Sequence, residues 1–293
     1  IFSLHLSTGE LATYAVLMRL EDPRTYECWP SYETIGKAIG KSKSSVKRYV
    51  AGLVEKGLIT VEPTSVIMRN GLKKNGNLRY HICPIREAME WYTRHQLYLA
   101  EAAAAGGATM IQVSTDYVFD GTACTPYRED DPTNPQTVYG RTKLAGEESV
   151  IRNCPGSMVI RTAWLYSTFG NNFVKTMIRL GKERDTLGVM AGQVGTPTYA
   201  RDLAKTILLI VEKGIVPGVY HYTNEGACSW YDFAQAVHRL EGIRSCRVKP
   251  LTTADYPTPA QRPHYSVLDK SKIRQTYDIT IPWWFDALKE CLK

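Results

Sequence analysis

Long apolar runs are missing from this sequence. Its longest aliphatic stretch is Ile207–Val211, against the ~20 residues a bilayer-crossing helix needs, so no membrane span is expected. Paired cysteines are missing too. The seven cysteines of the 293 residues are odd in number and scattered, and none stands in a Cys-x-x-Cys pair. That argues against a disulfide framework or a zinc site, expects no bound metal, and points to a reduced, cytoplasmic setting. No charged-then-apolar leader opens the chain; its first residue is Ile1 rather than Met, which points to a start lying further upstream. Wholesale disorder is excluded by a hydrophobic fraction of 44% with 22% charged residues. A phosphate-cradling glycine loop is absent as well. GKAIGKS (residues 36–42) has one residue too few between its glycines and no preceding strand, so Gly40 reads better as a turn between helices.

The charge is present, and it is uneven. Residues 31–79 hold ten Lys or Arg against three acids, a surplus equal to the whole chain's net charge of +7. Residues 98–293 are nearly balanced, with 22 basic and 20 acidic side chains. Two modules with different partners are therefore expected, the first facing a polyanion. Ser7 caps an apolar-periodic helix from Leu11 to Leu20. Ser31 opens a second, with Ile35 and Ile39 on one face and Gly40 as its stop. Ser42 caps a third, in which Val46, Val50, Leu53 and Val54 form the buried stripe and Gly57 ends the helix. LITVEP and NLRYHI then read as two strands joined by the basic turn NGLKKNGN.

The stretch CWPSYETIGKAIGKSKSSVKRYVAGLVEKGLI resembles the winged helix–turn–helix domains of bacterial replication and transcription regulators, over roughly residues 1–97. The resemblance implies double-stranded DNA as the partner of residues 31–79, with the third helix in a major groove and the wing along the backbone. Ser44, Ser45, Lys47 and Arg48 would then face DNA, while Lys73, Lys74 and Arg79 touch phosphates, which set affinity rather than sequence choice. A winged helix serving protein contacts is the alternative.

From PIREAMEWYTRHQLYLAEAAAAGG the chain reads as one long helix ending at Gly106-Gly107. MIQVSTDYVF follows as a buried strand, SMVIRTAWLY is a second, and a helix containing VYGRTKLAGEESVI lies between them. Strand–helix–strand with apolar strands means parallel pairing in an α/β sheet. Tyr139 and Lys143 stand at i, i+4 on that helix, where an ammonium can lower the phenol's pKa and fit it to exchange a proton with a carbonyl or alcohol oxygen. The spacing alone is no signal, because chance supplies about one such pair in a chain this rich in Tyr and Lys. Its context adds weight: Thr115 closes the preceding strand, placed to hydrogen-bond the same substrate oxygen.

VSTDYVFDG, PYREDDPTNPQTVYGRTKLAGE, RTAWLYS, NNFV, GTPTYARDLA, GVYHYTNEG, SWYDFA and RPHYSVLD occur in this order. The stretch from about Leu99 to the end is similar to the dTDP-4-dehydrorhamnose reductases, within the short-chain dehydrogenases/reductases. The resemblance implies a partial Rossmann-like parallel sheet with a substrate-binding subdomain over residues 98–293, preceded by the winged-helix domain over 1–97. It implies NADPH or NADH as cofactor and reduction of the 4-keto group of a dTDP-linked 6-deoxyhexulose, giving dTDP-L-rhamnose. Thr115 would orient the keto oxygen and Tyr139 protonate it, while Lys143 holds the nicotinamide ribose. Thr162 and Ala163 would lie near the nicotinamide, Asp116, Tyr117 and Trp164 would line the sugar pocket, and Arg262 would answer the diphosphate as a guanidinium fork does. Gly192, before Gln193, departs from the family, which usually has an acid there.

A larger departure is the family's first third. Its strand, glycine-rich turn and pyrophosphate-binding helix are not found in these 293 residues; the winged helix stands in their place. Weak cofactor binding follows, together with an unpaired sheet edge that favours association, a homodimer included. Three readings of the join stay open: a reductase fused to a DNA-binding module, a DNA-binding regulator carrying an inactive reductase remnant, and an artefactual union of two gene fragments.

Overall fold

The computed structural model describes residues 6–22, 24–67, 73–83, 85–252, 255 and 263–293, with the backbone alone at 66–67, 73–75 and 85–92. The chain divides into two units, Ile1–Tyr98 and Leu99–Lys293. In the first, α1 (Thr8–Leu20) starts from a capping box in which Ser7 and Glu10 each accept the other's backbone N–H. A short strand β1 (Glu27–Cys28) precedes α2 (Tyr32–Ile39) and α3 (Lys43–Glu55), whose N-caps are Ser31 and Ser42. Between them Gly40 takes φ 64°, a left-handed turn that glycine enters without strain. The hairpin β2 (Ile59–Ile67) and β3 (Lys73–Ile82) follows, and β1 joins it to make the antiparallel order β1-β3-β2.

Tyr14, Leu17, Ile35, Val46, Val50, Leu53, Leu58, Ile59, Tyr80 and Ile82 interlock as this unit's core, each buried side chain contributing roughly 1.5–3 kcal/mol. Val54, expected in that stripe, is 42% exposed. Val46, Val50 and Leu53 cluster within about 60° of the helix circumference, and Val54 falls to the rim beyond them. The basic wing is also shorter than the sequence indicated. Lys73 and Lys74 belong to β3, where they pair with Ile67 and Val66, and residues 68–72 lie outside the described residues.

The unit boundary falls inside α4 (Ile85–Ala105). From there β4 (Ile111–Thr115) leads through a 3₁₀ turn at Asp116–Val118 to α5 (Val138–Asn153), β5 (Met158–Thr162) and the short β6 (Leu165–Tyr166). Next come α6 (Phe173–Glu183), β7 (Thr186–Met190), β8 (Val194–Gly195), β9 (Thr198–Tyr199) and α7 (Ala200–Lys213). The chain closes with β10 (Gly218–His221), β11 (Cys228–Ser229), α8 (Trp230–Leu240), β12 (Arg247–Leu251), α9 (Ser271–Tyr277) and α10 (Trp284–Cys291).

The main sheet is parallel, in the order β10-β5-β4. Met158, Ile160 and Tyr220 of the sheet pack with Leu203, Ile210, Ile273 and Tyr277 of α7 and α9. A second core, Phe233, Val237, Leu187, Val189, Val248, Trp284 and Leu288 among others, joins α8 and α10 to the parallel pair β7–β12. Both expected strands end early. β4 stops at Thr115, where the 3₁₀ turn begins, and β5 stops at Thr162, two residues before Trp164 takes φ 48°. β4 is also not buried throughout, for Val113 is 36% exposed. The helical face over Met158 and Tyr220 takes in Ile111 only in part, and among the described residues β4 hydrogen-bonds to β5 alone.

Candidate active site and nucleic-acid face

The ends of β4 and β5 build the first site. Parallel register sets Thr115 directly beside Thr162, so the two hydroxyl residues close adjacent strands at the carboxyl edge of the sheet, where open α/β folds bind ligands. The Thr115 hydroxyl accepts the Tyr117 N–H at 3.2 Å and donates to Asp116 Oδ1 at 3.0 Å. Asp116 is fully buried, and burial pushes its carboxyl up to about 6 in spite of that hydrogen bond.

Tyr139 arrives from α5, whose first turn is capped by the Thr137 hydroxyl. Its ring meets Tyr117 edge to face, 5.7 Å between centroids. Gly140 makes this approach possible. A Cβ there would lie 2.1 Å from the Tyr117 carbonyl oxygen and 2.9 Å from Pro135 Cβ, so only glycine lets α5 rest on the Asp116–Val118 turn. One helical turn further, Lys143 is buried and its Nζ donates to Val113 O at 2.8 Å. Burial draws the Lys143 pKa down, and the Glu147 carboxylate pulls it back up.

Thr162, Ala163 and Trp164 line the neighbouring strand end. The Thr162 hydroxyl donates to Thr198 Oγ1 at 3.4 Å, and Ala163 is buried. Trp164 holds a left-handed backbone (φ 48°), a conformation bulky residues rarely keep without outside support. Its indole stacks on Trp230 at 3.6 Å and 11°, and it fits because Gly195 has no Cβ, which would stand 2.7 Å from the ring. Thr115, Asp116, Tyr117, Tyr139, Lys143, Thr162, Ala163 and Trp164 thus gather at two adjacent strand ends. Arg262 lies outside the described residues.

Beneath this edge is a charged layer that sequence reading missed. Glu147 accepts Arg161 Nε at 3.1 Å and a terminal guanidinium nitrogen at 2.8 Å. The guanidinium lies over the Phe119 ring at 5.1 Å. His221, also fully buried, has its N–H on Glu129 Oε1 at 3.0 Å and its ring Nδ1 3.1 Å from Tyr127 O. Burial and the nearby Arg161 hold its pKa down at about 3. A charge in the middle of the apolar run MVIRT was the available signal, since a buried arginine requires a partner.

In the first unit Lys43, Ser44, Lys47 and Arg48 of α3 are exposed, while Val46, Val50 and Leu53 are buried. Arg48 lies 5.5 Å above the Tyr49 ring, and Lys43 reaches Glu33 at 2.9 Å. Ser45 is half-buried, its N–H on the Ser42 hydroxyl. Arg79 is engaged by Glu62 and, at 3.5 Å, by Glu27, so a phosphate would have to displace carboxylates. The side chains of Lys73 and Lys74 lie outside the described residues. Among the described residues no helix is long and apolar enough to cross a membrane.

Residues 86–293 match the RmlD substrate binding domain family, and residues 4–59 match a helix-turn-helix domain family. A dTDP-4-dehydrorhamnose reductase of Aggregatibacter actinomycetemcomitans is 47% identical over 204 residues, spanning 66% of this chain and 69% of that protein. The crystal structure of a dTDP-4-dehydrorhamnose reductase from Clostridium acetobutylicum superposes with a TM-score of 0.64 at 49% identity, over 67% of this chain and 69% of that one. A Bacillus anthracis dTDP-4-dehydrorhamnose reductase in complex with NADP gives a TM-score of 0.65 at 36% identity, over 69% of this chain and 70% of that one.

Proposed function

The chain belongs to the RmlD substrate binding domain family, and from that premise we propose that residues 98–293 carry the sugar-binding and proton-handling part of a dTDP-4-dehydrorhamnose reductase. The observation that supports it most is the packing of Tyr139 on Tyr117, two residues past Thr115 at the edge shared by β4 and β5, with Lys143 one turn behind and tied to Val113 of β4. A 4-keto oxygen between the Thr115 and Tyr139 hydroxyls would receive a hydrogen bond from the first and a proton from the second. The Lys143 ammonium, one helical turn from the phenol, favours the tyrosinate left behind. Asp116, Tyr117 and Trp164 would contact the sugar, with Arg262 the candidate for its diphosphate.

NADPH or NADH supplies hydride when bound, and Tyr139, Lys143, Thr162 and Ala163 are the residues for its nicotinamide end. The fit is incomplete. The 293 residues contain no glycine-rich strand–turn–helix for the pyrophosphate, and the described sheet ends at β4. Remote binding energy positions the reacting atoms, and truncating it lowers turnover as well as affinity. Titrating NADPH fluorescence and then following oxidation with dTDP-4-dehydro-L-rhamnose is expected to show weak binding and turnover orders of magnitude below a complete reductase. Robust turnover abolished in Tyr139→Phe would overturn the weak-cofactor reading and keep the proton donor. Turnover indifferent to Tyr139→Phe would remove the donor.

Residues 1–97 are proposed to bind duplex DNA, an assignment favoured by the surplus of seven positive charges in residues 31–79 and the outward basic face of α3. Lys47→Ala and Arg48→Ala should weaken binding. Each phosphate that a variant no longer neutralises should flatten the log–log salt dependence by about 0.9. Binding that is absent at low salt, or indifferent to salt, would reject the assignment.

A further inference from the structure

Eight residues after Tyr139 and four after Lys143, α5 carries another buried charge, Glu147. At i, i+4 and i+8 the three side chains share one face of the helix. Glu147 is fixed from two strands. Arg161 of β5 reaches its carboxylate through Nε at 3.1 Å and a terminal nitrogen at 2.8 Å, and the Ser114 hydroxyl of β4 donates to its Oε1. Lys143 meanwhile donates to Val113 O at 2.8 Å. Three consecutive positions of β4 are therefore tied to the site: Val113 by Lys143, Ser114 by Glu147, and Thr115 as the hydroxyl that faces the substrate. A slip of α5 along β4 would break the first two ties and carry Tyr139 away from Thr115.

We propose that Glu147 is a positioning residue for the Thr115–Tyr139–Lys143 site: it locks α5 onto β4 and β5 in register, and its negative charge keeps the Lys143 ammonium in the protein interior. The proposal rests on the reading of that site as the proton-handling centre. The charged and titratable groups around Lys143 are few. Among the described residues of the elements packed on α5, α5 contributes Tyr139 and Glu147, β5 contributes Arg161, and the turn after β4 contributes Asp116 and Tyr117, while β4 carries polar side chains, Gln112, Ser114 and Thr115, but no charged one. Glu147 is hydrogen-bonded to Arg161, and its charge acts on Lys143 through space against the effect of burial. Burial alone would drive Lys143 toward the neutral amine.

The test follows the titration of Lys143 in the full chain by NMR of ¹³Cε-labelled lysine, with the resonance assigned by its loss in Lys143→Met. Glu147→Gln keeps the shape and removes the charge, and should move the Lys143 midpoint to lower pH than in the parent chain. Ser114→Ala, which removes a hydrogen bond and no charge, should leave the midpoint in place. Unfolding has the opposite signature, because a solvated lysine returns upward to its ordinary value of 10.5; circular dichroism registers it independently. An unchanged or raised midpoint in folded Glu147→Gln overturns the proposal. Should that variant fail to fold, Glu147→Asp withdraws the charge by one methylene and should lower the midpoint as well, and no movement there overturns it equally. Tyr139→Phe tests the underlying site separately, through turnover, and should leave the dependence of Lys143 on Glu147 intact.

Discussion

Two buried residues, His221 and Asp116, give the molecule opposing responses to acid. The His221 pKa falls from its ordinary 6.5 to about 3 in the folded chain. Between those values the unfolded chain takes up a proton that the native state refuses, so stability is lost as pH falls through that window. The Asp116 carboxyl moves the other way, from 3.8 to about 6. There the native state holds the extra proton, so its contribution is present at low pH and lost as pH rises through 6. Across the overlap the two slopes cancel, each being at most about 1.4 kcal/mol per pH unit. His221→Gln should therefore flatten the acid loss of stability, and Asp116→Asn should steepen it between pH 6 and 4. Urea midpoints measured against pH decide this; parallel profiles for both variants and the parent would refute it.

Helices and strands were largely legible where chemistry is local. Ser7, Ser31 and Ser42 announce helix starts because a hydroxyl can satisfy an orphan N–H, and the apolar runs around Val113 and Ile160 announce parallel strands. What escaped was set by tertiary approach. Trp164 ends β5 by turning left-handed against Trp230, 66 positions away in sequence, and Val54 and Val113 stay partly exposed. Thr115, Tyr139 and Lys143 are singled out as candidates by strand-end position and resemblance, whereas Glu147, Arg161 and His221 are tied together by contacts no periodicity encodes. Gly140 belongs with these: in the sequence it is one more glycine, and in the fold it is the seat of α5 on the 116–118 turn. Gly140→Ala should cost roughly 1–3 kcal/mol, as overpacking against an immobile carbonyl does, and should reduce turnover by more than the drop in stability explains. An alanine variant with parental urea midpoint and parental turnover would contradict that seating.

At the scale of the whole molecule, two chemistries meet in one chain. Among the described residues, the helix–turn–helix core from Tyr14 to Ile82 and the cores around Met158 and Phe233 each draw their members from one unit. The basic surplus sits in residues 31–79, and the dTDP-sugar reading belongs to residues 98–293. Cores that share no members lead to separate melting events, each raised by its own ligand through mass action: about 2.7 kcal/mol at a ligand concentration one hundred times Kd. The same free energy shifts a small unit further, because its unfolding entropy is smaller. A domain of roughly 60–100 residues moves about 4–8 °C per kcal/mol, and one of roughly 150–250 residues about 2–4 °C. Calorimetry of the full chain should accordingly show two transitions. A short DNA duplex should raise the one belonging to residues 1–97, by about twice what dTDP at equal saturation adds to the other, and added salt should erase the DNA shift first. A single transition moved by both ligands would mean that the two units unfold as one, and would count against a DNA-binding module that works on its own.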